Sequence, residues 1–251
     1  MNPGALNEEE RFLAAHISDL QRLSAKSGVP RFSAFLNERE AVVAARAVKG
    51  RPEFFGGYDG AARTVCGFFE DTYAEEMPHE DLFPVRAVTF SFRERDNPTH
   101  RDFLGALLAL GIKRELLGDI LVAEDYAVVF CHETAEDMIF HVDKVGRVGV
   151  NASKGVAKPL PEIKTKKIDA SVSSLRLDCI VSAAVNISRE KSAALIKSGQ
   201  VNADFSPCLN VSAEMSEGTI ISVRGSGRYR LSEIAGETRR GRLRVVIEEF
   251  I

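Results

Sequence analysis

Between residues 82 and 162 the apolar pattern switches from a period of two to a period of about 3.6 and back, twice. Val85 to Phe92 alternates as a strand. Thr99 caps a helix that runs through Leu110, and Gly111 stops it. Ile120 to Ala123 and Ala127 to Cys131 read as strands around Glu124-Asp125, which predicts a hairpin. Thr134-x-x-Asp137 opens a second helix, expected to run to about Val145, and Val148 to Ala152 is the last strand. The order β-α-β-β-α-β allows few packings.

It is the split βαβ plan of ferredoxin-like domains, which RRM domains share. The flanks read differently. Leu6, Phe12, Leu13, Ile17, Leu20 and Leu23 recur at helical spacing over residues 6–27, and Gly28-Val29-Pro30 ends that run. Asn37 and Glu40 are spaced as a capping box for a second helix, which Gly50-Arg51-Pro52 terminates. Gly56 to Gly60 is a turn cluster, Arg63 to Phe69 a strand, and the acidic stretch Asp71 to Asp81 a boundary. Residues 153–171, rich in lysine with two prolines, read as an exposed strand or linker. Beyond them come a helix over Leu175–Ala184 and a second capped by Ser188 and closed by Ser198-Gly199. A strand starts at Val201-Asn202, Pro207 marks a turn, and strands follow at Thr219–Val223 and Leu243–Ile247. The expected class is α+β. Residues 1–80 form a mostly helical N-terminal region, 81–163 an RRM-like domain, and 172–251 a third domain.

Length supports that division, since 251 residues suit two or three small domains. No apolar run approaches the ~20 residues that span a bilayer, and the N-terminus has no basic-then-apolar leader pattern. Cys66, Cys131, Cys179 and Cys208 lie far apart, as expected for reduced thiols in the cytoplasm rather than a zinc site. The net charge of −3 conceals an asymmetry. Residues 1–163 carry 19 Lys+Arg against 26 Asp+Glu, whereas residues 164–251 carry 14 against 10. Arg224 to Arg244 holds seven arginines against Glu233 and Glu237. A basic stripe on an acidic chain places positive charge where a polyanion would lie, and guanidinium forks match phosphate oxygens. The competing reading is a solvated, salt-bridged surface.

Motifs for chemistry fail on inspection. His100-Arg101-Asp102 has the letters of a kinase catalytic loop, but position 107 is Leu where magnesium needs Asn, and Leu104, Leu107 and Leu108 form an apolar helix face. Gly225-x-Gly227 lacks a third glycine and a following helix. Arg176-Leu177-Asp178 is similar to the catalytic segment of pseudouridine synthases, but the following CIVSAA does not continue it. There is no P-loop and no Gly-x-Ser-x-Gly elbow. No catalytic residue, cofactor or metal is expected.

Residues 174–223 resemble the S4 RNA-binding domain: Arg-Leu-Asp before a helix, Ser-Arg opening a second, Ile-x-x-Gly, a Val-Asn pair, then a Gly-x-Ile-x-x-Val strand. One departure is Ala203-Asp204 where most such domains carry glycine after Val-Asn. Ser188 can cap a helix whose N-terminal N–H groups favour phosphate. Arg189 and Lys191 sit in that first turn, unfavourable for the dipole alone and sensible beside an anion. The S4 resemblance implies a binding surface of Arg176, Asp178, Ser188, Arg189, Lys191, Ser192, Lys197, Gly199 and Asn202. The basic tail extends it through Arg224, Arg228, Arg230, Arg239, Arg240, Arg242 and Arg244. In the RRM-like domain Phe90, Phe92 and Phe130 lack the RNP1 pattern and read as core. Lys113 and Arg114, after the helix stop at Gly111, are the candidate secondary contact there.

His100 to Ile120 (HRDFLGALLALGIKRELLGDI), Phe54-Phe55-Gly56-Gly57-Tyr58, Gly225 to Arg230 and Arg242 to Val245 together resemble the bacterial YlmH-like family, in order along most of the chain. The resemblance implies an N-terminal domain, an RRM-like domain and a C-terminal S4 domain of the αL type. It implies RNA binding without catalysis: association with the large ribosomal subunit, contacts to a 23S rRNA stem-loop and to tRNA, and a role in quality control of stalled nascent chains. It also implies a link to cell division. Two other readings are an RNA-modifying enzyme anchored by S4, and a scaffold for division or quality-control proteins through the acidic N-terminal region. No membrane association is expected.

Overall fold

The computed structural model describes residues 6–50, 52–69, 79–161, 165–238 and 241–250. The chain divides into two compact units, one over Leu6–Pro161 and one from Glu162 onward.

In the first unit, Asn7 and Glu10 form a reciprocal capping box that starts α1 (Glu8–Ser27), and Gly28 at φ +65° ends it. β1 (Arg31–Leu36) follows. Asn37 and Glu40 then form the expected box at the start of α2 (Glu38–Ala47). β2 (Glu53–Phe55) and β3 (Thr64–Phe68) complete an antiparallel sheet of order β1-β3-β2. Among the described residues of 1–80, two helices therefore pack with a three-stranded sheet, an α/β arrangement. β1 escaped the sequence reading because its six residues lie between two strong helix signals and alternate only weakly. Ile17, Leu36, Ala44, Cys66 and Phe68 form the core between α1, α2 and this sheet.

The same unit continues through β4 (Val85–Ser91), α3 (His100–Ala109), β5 (Leu117–Val122), β6 (Tyr126–His132), α4 (Glu133–Phe140), the short hairpin β7 (Lys144–Val145) and β8 (Val148–Gly149), and β9 (Asn151–Lys154). The sheet order is β5-β6-β4-β9, antiparallel throughout. Thr99 and Asp102 cap α3 reciprocally. α4 stops at Phe140, earlier than expected, and the residues assigned to its last turn form the β7–β8 hairpin instead.

Both faces of the four-stranded sheet are filled. One packs Phe90, Val129 and Cys131 against Phe103, Leu107 and Ile139 of the two helices. The other packs Val85, Ala87, Val128 and Phe130 against Phe35, Val65 and Phe83. Two-sided burial explains why Ala127 to Cys131 is apolar without alternation. The described residues of 6–69 and of 79–161, placed in separate domains by the sequence reading, thus share a core within one unit. Their signature segments also meet: the Tyr58 hydroxyl and the Ala62 N–H both donate to Asp119 Oδ2, at 2.8 and 2.7 Å. The Tyr58 ring stacks on Phe130 at 5.0 Å.

The second unit opens with β10 (Thr165–Val172), followed by α5 (Leu177–Val185) and α6 (Arg189–Lys197). β11 (Val201–Ala203), β12 (Ser206–Pro207), β13 (Ile220–Val223), β14 (Gly227–Glu237) and β15 (Leu243–Phe250) complete it. The sheet order is β10-β15-β14-β13-β11-β12. β14 is absent from the sequence reading, because its Gly, Arg and Ser content hides the alternation of Tyr229 and Leu231. Those two residues, with Val245, Ile247, Ile221 and Val223, pack beneath Leu177, Ile180, Val181 and Ile196. At the departure from the S4 pattern, Asp204 and Phe205 both take positive φ, +44° and +62°, so the turn is made without glycine.

Gly57 adopts φ +102°, and a Cβ there would lie 2.2 Å from the Phe130 ring. Gly57→Ala is expected to cost about 2–4 kcal/mol in denaturant unfolding, from overpacking added to left-handed backbone. Gly60→Ala, at φ +81° in open space, should cost only about 1 kcal/mol. Equal losses at the two sites would contradict this packing.

Candidate nucleic-acid interface

The S4-like segment is organised by one carboxylate. Leu177 starts α5 with Arg176 as its N-cap residue, and Asp178 turns inward in the first turn, 4% exposed. Arg176 Nε donates to Asp178 Oδ1 at 3.0 Å and its Nη2 to Oδ2 at 3.3 Å. Arg189, first residue of α6, donates through Nη2 to Oδ2 at 2.5 Å. The carboxylate is buried, while the Arg176 and Arg189 side chains stay 43% and 53% exposed. Burial alone pushes the Asp178 carboxyl up. The hydrogen bonds and charges of Arg176 and Arg189 outweigh it and hold the group below the usual carboxylate range. Hydrogen bonding to Asp178 in turn raises the Arg189 guanidinium above its ordinary value. Two fixed guanidinium groups therefore converge at the adjoining N-termini of two helices, with one positive charge in excess.

Ser188 caps α6, its Oγ accepting from the Lys191 N–H at 3.3 Å. Asp178 is buried behind its two arginines. Ser192 is fully buried and donates to the Asp178 carbonyl at 2.9 Å, tying α6 to α5. Lys191 and Lys197 are exposed. Lys191 lies about 200° around the helix from Arg189, so the two do not share a side; Lys197, about 80° away, nearly does. Gly199, at φ +73°, closes α6 with its N–H on the Ile196 carbonyl at 3.0 Å. Asn202 sits on β11 opposite Ser222 and Pro207, half-buried.

The basic tail does not form one arm. Arg224 is exposed in the turn after β13. Arg228 and Arg230 lie on β14, and Arg230 pairs with Glu248. Arg242 donates to the Ser171 carbonyl, and Arg244 is exposed on β15. Arg239 and Arg240 lie outside the described residues. In the first unit Lys113 is exposed, 3.7 Å from Glu115. Arg114 is half-buried, and its Nη1 donates to the carbonyls of Leu117 at 2.7 Å and Gly118 at 3.4 Å. Arg63 donates to the same Leu117 carbonyl at 2.8 Å. Burial lowers the pKa of both arginines, and each is committed to holding backbone. The sequence reading missed Arg63, and missed Glu248 as the partner that offsets Arg230.

Among the described residues no group of three or more His, Cys, Asp or Glu is placed to hold a metal. Burial pushes the Cys66 and Cys131 thiols up to about 12, so neither is a thiolate at neutral pH. No helix among the described residues is long and apolar enough to cross a membrane.

Residues 78–157 match the family model described as a putative RNA-binding domain in YlmH. The chain is 30% identical over 249 residues to the ribosome-associated protein quality control protein P2 of Bacillus subtilis (strain 168), covering 96% of this chain and 95% of that one. Among solved structures it is similar to the cell division protein ylmH from Streptococcus pneumoniae, with a TM-score of 0.51 and 18% identity over 60% of this chain and 93% of that chain. At that identity the likeness concerns fold alone.

Asp178→Asn should lower unfolding stability by about 1–2 kcal/mol, a figure discounted because both guanidinium groups are half exposed. A carboxyl held below its unfolded value stabilises above that value and loses the contribution as pH falls through the folded one. The difference between wild type and Asp178→Asn should therefore be constant from about pH 5 to 8 and shrink below about pH 4. A difference that grows on acidification would contradict the pairing.

Proposed function

The chain belongs to the YlmH-like family, and from that premise we propose that it is a non-catalytic RNA-binding protein of the ribosome. In this reading the second unit is the S4 domain and the four-stranded half of the first unit is RRM-like. The observation that carries the proposal is the Arg176–Asp178–Arg189 cluster. It presents two oriented guanidinium groups at paired helix N-termini, an arrangement suited to phosphates held at a fixed spacing. Shape and backbone contacts would dominate over base readout, as for structured RNA.

The RRM-like sheet has no free face for stacking bases, since Phe90 and Phe130 are buried on opposite sides. Any RNA contact by residues 78–157 therefore uses loops and helix ends, with exposed Lys113 the candidate the sequence singled out. The name of the B. subtilis relative supports a place in ribosome-associated quality control. We assign the finer targets by the family resemblance: a 23S rRNA stem-loop and tRNA on the large ribosomal subunit, in the cytoplasm.

Crosslinking in cells followed by sequencing of the attached RNA tests the assignment. Enrichment of one 23S stem-loop together with tRNA is expected; crosslinks scattered over messenger RNA would overturn it. In vitro, Arg189→Ala leaves Arg176 on Asp178, so the fold should persist. Affinity for a stem-loop RNA should fall about tenfold and the salt slope should flatten by about one unit. Unchanged affinity would remove this cluster from the interface.

A further inference from the structure

The six-stranded sheet of the second unit has two faces, and only one faces its helices. Alternation turns Tyr229, Leu231, Val245 and Ile247 inward. It turns Arg228, Arg230, Arg244, Glu248 and Phe250 to the opposite side. Register adds Lys167 of β10, opposite Glu248, and Asp169, opposite Val246. The row Ile220–Arg230–Glu248–Lys167 crosses four strands. At its side lies Phe250, half-buried, with the guanidinium carbons of Arg228 and Arg230 each 5.8 Å from its ring centroid.

We propose that this outer sheet face is a second RNA-contact surface, on which Phe250, flanked by Arg228 and Arg230, stacks an unpaired base. The inference rests on the RNA-binding reading above and adds the substrate class: RNA with an unpaired base beside a helix, not continuous duplex. An aromatic ring on an outward sheet face supplies a planar apolar surface that any base can cover. The two arginines add planar cations that stack on bases or pair with phosphates. Lys167, Arg228, Arg230 and Arg244 stand against Glu248, Asp169 and Glu233, which the register also places opposite Val246, so the face keeps one positive charge in excess, concentrated around Phe250. Glu248 holds Arg230 across the face, as Asp178 holds Arg189 on the helix side.

The chain contains no tryptophan, so Phe250→Trp places its single tryptophan at the site, excited selectively over the four tyrosines. The probes are a short stem-loop RNA with an all-adenine loop and the same stem as a continuous duplex, each followed in parallel by anisotropy of a dye on the RNA. The stem-loop should quench the Trp emission saturably, in step with anisotropy, and the duplex should not. Phe250→Ala should weaken stem-loop binding about 5- to 20-fold and leave duplex binding unchanged, with Phe250→Tyr close to wild type. Unchanged emission at RNA concentrations that saturate the anisotropy would overturn the proposal, as would equal loss for both RNAs. A wild-type protein that binds neither RNA removes the underlying reading as well; one that binds while position 250 is silent removes this inference alone.

Discussion

A carboxylate taken out of water is costly unless its charge and lone pairs are met, and Asp178 meets that requirement with two arginines from two helices. The junction of α5 and α6 is built around it. Arg176 must lie at the start of α5 and Arg189 at the start of α6, so the two N-termini are drawn together. Ser192 fixes the same junction from below by bonding the Asp178 backbone. The arginines lose conformational freedom to the carboxylate rather than to a ligand, and their outer surfaces stay in solvent. A binding group ordered before its partner arrives costs less to use.

The first unit solves a different problem. Its four-stranded sheet has helices on one side and the β1–β3 layer on the other, so the surface an isolated sheet of this topology could offer to a ligand is internal. Gly57 lets the chain pass against Phe130, and Tyr58 closes over that ring while bonding Asp119. Arg63 and Arg114 converge on one carbonyl at the same junction. The positive charge of these two side chains is spent on backbone.

Much of this was legible in the sequence, and the reasons are local. The Asn37–Glu40 capping box and the Thr99 cap stand where the sequence reading places them, because such a motif is complete within four residues; the Asn7–Glu10 box, equally local, is passed over in that reading for the apolar periodicity behind it. The β-α-β-β-α-β rhythm survives because period and turn signals agree. What sequence could not supply was which charges face each other across the fold. Arg114 reads as a surface cation after a helix stop until Leu117 and Gly118 are seen to accept its protons. Asp178 and Ser192 belong to the S4-like pattern, but only burial separates a group that orients from one that touches. β14 was hidden because its outward residues are arginines and its inward ones are few.

On the proposed function, Asp178 aids RNA binding by holding two arginines, although its own charge opposes a polyanion. These two effects have opposite signs in one variant. Asp178→Asn removes a negative charge beside the proposed phosphate site, so simple electrostatics would tighten binding. The positioning account predicts weaker binding to a stem-loop RNA at fixed salt, by about five- to tenfold, with the variant still folded. Equal or tighter binding would contradict the account.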